Sequence, residues 1–291
     1  MILDKLIFPV LTNTGEAAHH VADTLNAVAA HGGESAEESH ELPNIIHILD
    51  KTVGGIFVDL YSWENIAFAF MAALFLCLIA WLVYRKRQMI PGPLQNLTEL
   101  IAEGLYNFFH SVLGEHARRY TPFLGTLFIY ILLMNWMGLV PFLKAPTSAA
   151  TITFSLAIVV FFYSQGVGFK YLGLAGWLYH LAGEPVGVVG WALAPLMVII
   201  HVIGEIAKPV SLALRLFGNI TGEDILVAAF TMIGIMALSF LGKNTPVGIP
   251  FQIPFYLLGL LMSTIQALVF AALATIYIAL MLPHEHEGES H

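Results

Sequence analysis

The residues of this sequence that are most able to take part in chemistry are charged side chains inside a long apolar region. Residues 204–224 read GEIAKPVSLALRLFGNITGED and contain Glu205, Lys208, Arg215, Glu223 and Asp224. Apolar runs flank them at 191–203 and 225–241. Because roughly 20 residues suffice to cross a bilayer, Arg215 is predicted to lie at membrane depth. An arginine there costs about 2.5–3.5 kcal/mol on insertion scales, so it belongs to an ion or substrate path unless it snorkels to the interface.

Helix geometry orders these side chains along one axis. Asn219 lies one turn beyond Arg215, and Glu223 lies one turn further, roughly 12 Å from the arginine. In the other direction Lys208 falls on nearly the same face, and Glu205 can pair with it at i,i+3. An acid on each side can pass protons through water, whereas an arginine keeps its proton and interrupts a relay. The structural alternative is an ion pair between Arg215 and Glu223 that only holds helices together.

Polar side chains also interrupt the last apolar run, and these include Ser263, Thr264 and Gln266. A mid-span amide needs hydrogen-bond partners, so Gln266 either lines a polar path next to Arg215 or joins two helices. His201 shares a helix face with Glu205, as a membrane-embedded enzyme could require, but an isolated pair carries little weight.

Composition sets the class of protein. Of 291 residues, 58% are hydrophobic and 11% are charged, whereas soluble domains are about 25% charged. We therefore predict an all-α polytopic membrane protein. The single cysteine excludes a disulfide framework. We find no basic patch for nucleic acid and no glycine-rich phosphate loop, and we predict no cofactor and no metal site.

The order of apolar and basic segments predicts the topology. About five spans are expected, at 66–84, 122–143, 149–169, the charged stretch with its flanking runs, and 256–282. Arg85, Lys86 and Arg87 follow the first span and should stay inside, so the N-terminus is predicted outside and the C-terminus in the cytoplasm.

The remaining segments are predicted to lie at or beyond the membrane surface. Residues 1–60 are expected to form an outer polar arm with a short interfacial segment, 61–283 the membrane domain, and 284–291 an acidic cytoplasmic tail. Residues 94–112 have apolar positions at a period near 3.6, which predicts an amphipathic helix at or in the membrane. The glycine-rich residues 171–190 are predicted to be a connection.

Several motifs resemble subunit a of the F-type (F1Fo) ATP synthase family. The most specific are KPVSLALRLFGNITGE and STIQALVFAALATIYI, and PGPLQNLTELI, TPFLGTLFIYILLMNWMGLVP and APTSAATITFSLA are also similar. The resemblance covers residues 88–282. It implies a non-catalytic stator subunit of the bacterial inner membrane. Its partners would be a ring of c subunits, the b-subunit peripheral stalk, the remaining synthase subunits and the lipid bilayer.

The resemblance also implies a role for individual residues. The last two helices would form a long, tilted hairpin against the ring, with two offset half-channels. Arg215 would face the ring carboxylate as a gate, preventing leak and driving deprotonation. Polar residues matching the family's contact and channels are Asn219, Gln266, Glu205, Glu223 and Asp224, with Lys208, His201, Ser263 and Thr264 as secondary candidates.

One position departs from the family pattern. Many relatives have His or Glu seven residues before the glutamine, where this chain has Gly259. The outer channel is therefore expected to use the acids of the TGED motif, and the motif leaves both as candidates for the relay.

Two further questions stay open. A self-contained secondary ion transporter is the alternative function, although it should show an internal repeat, and we find none. H⁺ and Na⁺ both stay open as the coupling ion, because the ion-binding carboxylate is expected on the ring subunit.

Overall fold

The computed structural model describes residues 63–89, 92–140, 143–183, 187–240 and 250–282. Within these ranges the chain folds into α-helices joined by short turns, with no strand. The helices are α1 Glu64–Arg85, α2 Pro93–Leu113, α3 Ala117–Met137, α4 Ala150–Leu181, α5 Gly187–Phe240 and α6 Ile253–Ala279. The predicted all-α class is confirmed. The predicted outer arm and acidic tail lie outside the described residues.

Five stretches are long and apolar enough to cross a membrane, as predicted. They are Glu64–Arg85, Pro93–Met137, Ala150–Leu174, Leu193–Ala237 and Ile253–Ala279. The second stretch joins α2 to α3, so the amphipathic segment is continuous with a span. Which end of each helix faces the cytoplasm stays a prediction.

The amphipathic helix α2 begins and ends at glycines. Gly92 precedes Pro93 in an extended conformation, which suits a proline in the first turn. Gly114 follows the helix with a φ of 56°, a conformation that favours glycine. Side chains on one side of the helix are buried, and these are Leu105, Phe109 and Leu113.

The predicted connection at 171–190 is largely helical. Helix α4 continues to Leu181, and α5 begins at Gly187. The chain changes direction within α4 at Gly173, where φ is 68° and ψ is 173°. Only glycine adopts this conformation without strain. The glycine content of the segment thus marks a sharp turn between two helical pieces.

Helix α5 is 54 residues long and contains Pro195 and Pro209. At 1.5 Å per residue a straight helix of this length would reach roughly 80 Å, against roughly 30 Å for the hydrocarbon core. Parts of α5 must therefore run obliquely or outside that core. Only 11% of its most apolar window is buried, compared with 39% for α6, so α5 presents a broad apolar surface.

The hydrophobic core lies where α3 and α5 each pack against α6. Its centre contains fully buried side chains from each helix, namely Leu124, Ile131 and Met134, Leu212 and Leu216, and Phe270 and Ile278. The sequence places these residues three, four, seven or eight positions apart on their helices, which is the spacing of one helix face. The polar residues of α5 lie beside this buried face, where they contact α4 and α6.

Candidate functional site

Arg215 lies on the exposed side of α5. Its neighbours Ala213 and Leu216 are buried in the core, whereas Arg215 is exposed. Among the described residues its guanidinium makes no hydrogen bond and no ion pair. The alternative of a structural ion pair with Glu223 is therefore absent from the described part of the chain.

One turn along α5, Asn219 contacts the glutamine of the last helix. Asn219 Nδ2 donates a hydrogen bond of 2.6 Å to Gln266 Oε1. Gln266 is only 3% exposed, and its Nε2 has no hydrogen-bond partner within the described ranges. A buried unsatisfied donor costs about 1–3 kcal/mol. The amide nitrogen is therefore buried and unsatisfied within the described ranges.

The next turn brings Glu223 against α6. Ser263 Oγ donates a hydrogen bond of 3.0 Å to Glu223 Oε2, and Ser263 itself is buried. The carboxyl group of Glu223 occupies the space where a Cβ atom on Gly259 would lie. Gly259, the residue that departs from the family pattern, thus makes room for an acid contributed by the neighbouring helix.

Two residues that the sequence analysis did not single out extend this contact. Asn135 Nδ2 donates to the carbonyl oxygen of Ser263 at 3.2 Å, and Thr147 Oγ1 donates to Asn135 Oδ1 at 2.7 Å. Both side chains are buried, at 2% and 0% exposure. Asn135 could have been found from the sequence, because it is a mid-span amide of the same kind as Gln266. We call Glu223, Ser263, Asn135 and Thr147 the outer cluster, and the names of this and the next cluster follow the topology predicted from the sequence.

A second polar cluster lies two to three turns before Arg215 on α5. Lys208 forms the predicted i,i+3 ion pair with Glu205, so that pairing is confirmed. Gln165 Nε2 from α4 donates to Glu205 Oε2 at 2.7 Å. The Lys208 ammonium lies 5.6 Å from the ring centroid of Tyr277 on α6. We call Glu205, Lys208, Gln165 and Tyr277 the inner cluster.

The inner cluster extends toward Arg215 through Tyr277. The Tyr277 hydroxyl lies within electrostatic range of both the Arg215 guanidinium and the Glu205 carboxyl group. The polar residues of α5 therefore face α4 and α6 at the inner cluster and α6 at the outer cluster, with Arg215 between them.

The other predicted site residues lie at the edges of these clusters. His201 Nδ1 is 3.0 Å from the carbonyl oxygen of Met197. Thr264 Oγ1 accepts a hydrogen bond of 3.1 Å from Trp136 Nε1. Asp224 is exposed.

Comparison with known proteins identifies the family. Residues 66–279 match the family described as ATP synthase A chain. ATP synthase subunit a of Protochlamydia amoebophila is 47% identical over 251 residues, covering 85% of this chain and 91% of that protein. The subunits a of Trichlorobacter lovleyi and Oleidesulfovibrio alaskensis are 36% and 37% identical, covering 85% and 84% of this chain and 95% and 96% of theirs. The chain belongs to the ATP synthase A chain family. It is thus a multi-pass membrane protein.

In this family member the surface beside Arg215 is built from small residues. Ser211, Gly218 and Gly222 are exposed on α5, and a Cβ atom on either glycine would meet nothing within 4 Å. Leu214 is 52% exposed on the same surface. Small residues allow another helix to approach closely. This arginine surface, formed by Ser211, Leu214, Arg215, Gly218 and Gly222, is left uncovered by the described residues.

Proposed function

We propose that this chain is the proton-translocating stator subunit of an F-type ATP synthase, and that Arg215 is its gate. The observation that supports this most strongly is the position of Arg215, exposed within an apolar span and without a partner among the described residues. A permanent charge at that depth needs an acid from another polypeptide. The proposed source is a ring of c subunits that packs on the arginine surface.

The gate works because arginine does not release its proton at any working pH. Arg215 stabilises the deprotonated carboxylate of the ring subunit in front of it. It also separates the inner and outer water paths, because no proton can pass through the guanidinium.

The outer cluster forms the half-channel on the outer side. Ser263 holds the Glu223 carboxyl group, and Asn135 and Thr147 continue the polar contacts away from it. Glu223 is the relay of the TGED motif, because it packs against α6, while Asp224 is exposed beside it. The N-terminus lies outside and the C-terminus in the cytoplasm of a bacterial inner membrane, as the basic residues after α1 predict.

The inner cluster forms the cytoplasmic half-channel. Glu205 attracts protons that leave the ring, and Lys208 and Tyr277 extend the polar contacts toward Arg215. Glu205 and Glu223 are both only partly buried, so water can reach them.

The energetics place ATP chemistry in other subunits. One charge crossing the membrane yields about 2.3 kcal/mol per 100 mV. Several crossings must therefore be summed for each ATP, which a rotating ring can do and this chain alone cannot. The chain itself is non-catalytic, and the peripheral stalk of b subunits holds it against the other synthase subunits.

The test replaces Arg215 in the whole synthase complex. Arg215→Ala should reduce proton-driven ATP synthesis to background in membrane vesicles, while the amount of assembled complex stays normal. Arg215→Lys is the matched control for charge: a lysine can lose its proton and lacks the planar fork, so we expect it to restore little synthesis. Normal coupled synthesis by assembled Arg215→Ala would refute the gate.

A further inference from the structure

The side chain of Gln165 links two residues that are far apart in the sequence. Its Nε2 donates to Glu205 Oε2 at 2.7 Å, and its Oε1 accepts a hydrogen bond of 2.9 Å from Trp177 Nε1. Gln165 is only 7% exposed. An indole N–H can only donate and a carboxylate can only accept. The two partners therefore fix which end of the amide faces Glu205.

The turn at Gly173 makes this arrangement possible. Gln165 and Trp177 both belong to α4, and in a continuous helix residues twelve apart would lie about 18 Å apart along the axis. The positive φ of 68° at Gly173 redirects the chain, so that Trp177 packs on Phe169 with ring centroids 4.8 Å apart. The indole N–H then reaches the Gln165 oxygen. A backbone conformation reserved for glycine thus orients a side chain that contacts the inner acid.

We propose that Gln165, locked by Trp177, is a positioning residue for Glu205 in proton release on the inner side. This inference rests on the proposed function of the inner cluster. Gln165 supplies a neutral donor to one carboxylate oxygen while Lys208 takes the other, so the carboxyl group is held between α4 and α5.

The charged and titratable groups around Glu205 come from its own helix and from α6. Lys208 and, one turn earlier, His201 lie on its own helix. Tyr277 faces it from α6 and is also influenced by Arg215. From α4 the contact to Glu205 is the neutral amide of Gln165. Replacing that amide changes the hydrogen bonding of the acid without adding or removing a charge.

The experiment uses the whole synthase in inverted membrane vesicles, whose cytoplasmic side faces the medium. Initial rates of ATP-driven proton pumping are measured while the pH of the medium is varied and the pH of the lumen is fixed, and then the reverse. Gln165→Met keeps the side-chain volume and loses both hydrogen bonds. Loss of a donor to the carboxylate favours its protonated form. We expect the profile against medium pH to move about one pH unit toward alkaline, the scale of one hydrogen bond to a charged group.

Matched variants separate positioning from damage to the fold. Trp177→Phe keeps the aromatic packing and loses only the N–H, so it should shift the profile in the same direction by less. In the Gln165→Met background it should add nothing, because its partner is already gone. Ser164→Ala removes a neighbouring buried hydroxyl that bonds only to the carbonyl oxygen of Phe161 within the described ranges, and should keep the parental profile. Ser263→Ala, in the outer cluster, should move only the profile against lumen pH.

Two results would overturn the inference. One is an unshifted medium-side profile for assembled Gln165→Met, or for Trp177→Phe if the first variant does not assemble. The other is an equal change against both medium and lumen pH, which general damage would produce. Either result, combined with loss of coupling in Arg215→Ala, would leave the proposed gate intact. Normal coupling in Arg215→Ala would instead remove the proposed function itself.

Discussion

The carboxyl groups of Glu223 and Glu205 lie on either side of Arg215 along one helix, but their surroundings differ in charge. Glu223 receives a neutral hydroxyl donor from Ser263, whereas Glu205 is paired with the ammonium of Lys208. A hydroxyl can donate or accept, so it suits a carboxyl group in either protonation state, while an ammonium can only donate. Within the proposed function, the outer acid is therefore the better suited of the two to exchange its proton with Ser263 still as its partner.

Arg215 lies between the two acids on α5, and its environment differs from both of theirs. This chain supplies partners for both acids, but within the described residues it supplies no ion pair for Arg215. Both acids have hydrogen-bond partners within this chain, whereas the proposed function requires another polypeptide on the arginine surface. On that proposal, the acids can be studied through neighbouring residues of this chain, and the gate only in the assembled complex.

The largest expected effect within this comparison comes from neutralising the outer acid. Glu223→Gln keeps the shape of the side chain but cannot exchange a proton, so we expect about a 100-fold loss of ATP synthesis, the scale of a lost proton-transfer group. Glu205→Gln should cost about tenfold or less, because the inner acid acts mainly through its charge. Rates are measured in vesicles with equal amounts of assembled complex.

The neighbouring acid provides the control for Glu223. Asp224→Asn removes the same charge one residue further along α5, where the side chain is exposed. We expect Asp224→Asn to cause a several-fold smaller loss of ATP synthesis than Glu223→Gln. Negligible losses in both single variants and in the double variant would remove the outer half-channel from the proposal, and a larger loss at Asp224 would reassign the relay.

Exchanging the residues at positions 223 and 259 tests the contact between Glu223 and Gly259. The expected change in ATP synthesis is smaller than that for Glu223→Gln. A Cβ atom on Gly259 would overlap the Glu223 carboxyl group, so Gly259→Glu alone should be severely impaired. Combined with Glu223→Gly, the same substitution returns a carboxyl group to that space from the opposite helix. We expect the double variant to recover synthesis at least about tenfold over either single variant, because the two sites share one space.

The matched control for this exchange is a glycine on the arginine surface. Gly218 has nothing within 4 Å of a built Cβ atom, so Gly218→Glu does not crowd the described chain. Combined with Glu223→Gly it should give no recovery. Equal recovery from positions 218 and 259 would show that any added acid suffices, and would contradict the shared space.

The sequence alone predicted the features that depend on one helix. The position of Arg215 within a long apolar stretch followed from the flanking apolar runs, and the pairing of Glu205 with Lys208 followed from a spacing of three residues. Contacts between helices could not be derived in this way. The hydrogen bond from Asn135 to Ser263 joins residues 128 positions apart, and only the packing of α3 on α6 brings them together.

The turn in α4 shows a different limit of sequence reasoning. A glycine-rich stretch predicts irregular structure in general, because glycine tolerates many conformations. It does not indicate that only Gly173 leaves the helical region, or that the chain then turns Trp177 toward Gln165. The sequence analysis consequently did not identify Gln165 as a candidate site residue.

The smallest expected effect concerns two adjacent contacts between α3 and α6. Asn135 contacts Ser263 in the buried core, whereas Trp136 contacts Thr264 where the indole is 39% exposed. Trp136→Phe keeps the ring and loses one exposed hydrogen bond, because Thr264 also bonds to the carbonyl oxygen of Leu260. We expect a loss of stability of about 0.5–1 kcal/mol, measured by thermal dissociation of the complex, with unchanged ATP synthesis.

Substitution of Asn135, which makes the buried contact of the two, should reduce stability more strongly. Asn135→Leu leaves the buried Thr147 hydroxyl without this partner, which costs about 1–3 kcal/mol. It also removes the support behind the serine that holds Glu223, so synthesis should fall along with stability. If Trp136→Phe proved equally damaging to synthesis, the polar path would extend to the exposed side of α6, and the boundary of the outer cluster would have to move outward by one residue on each helix.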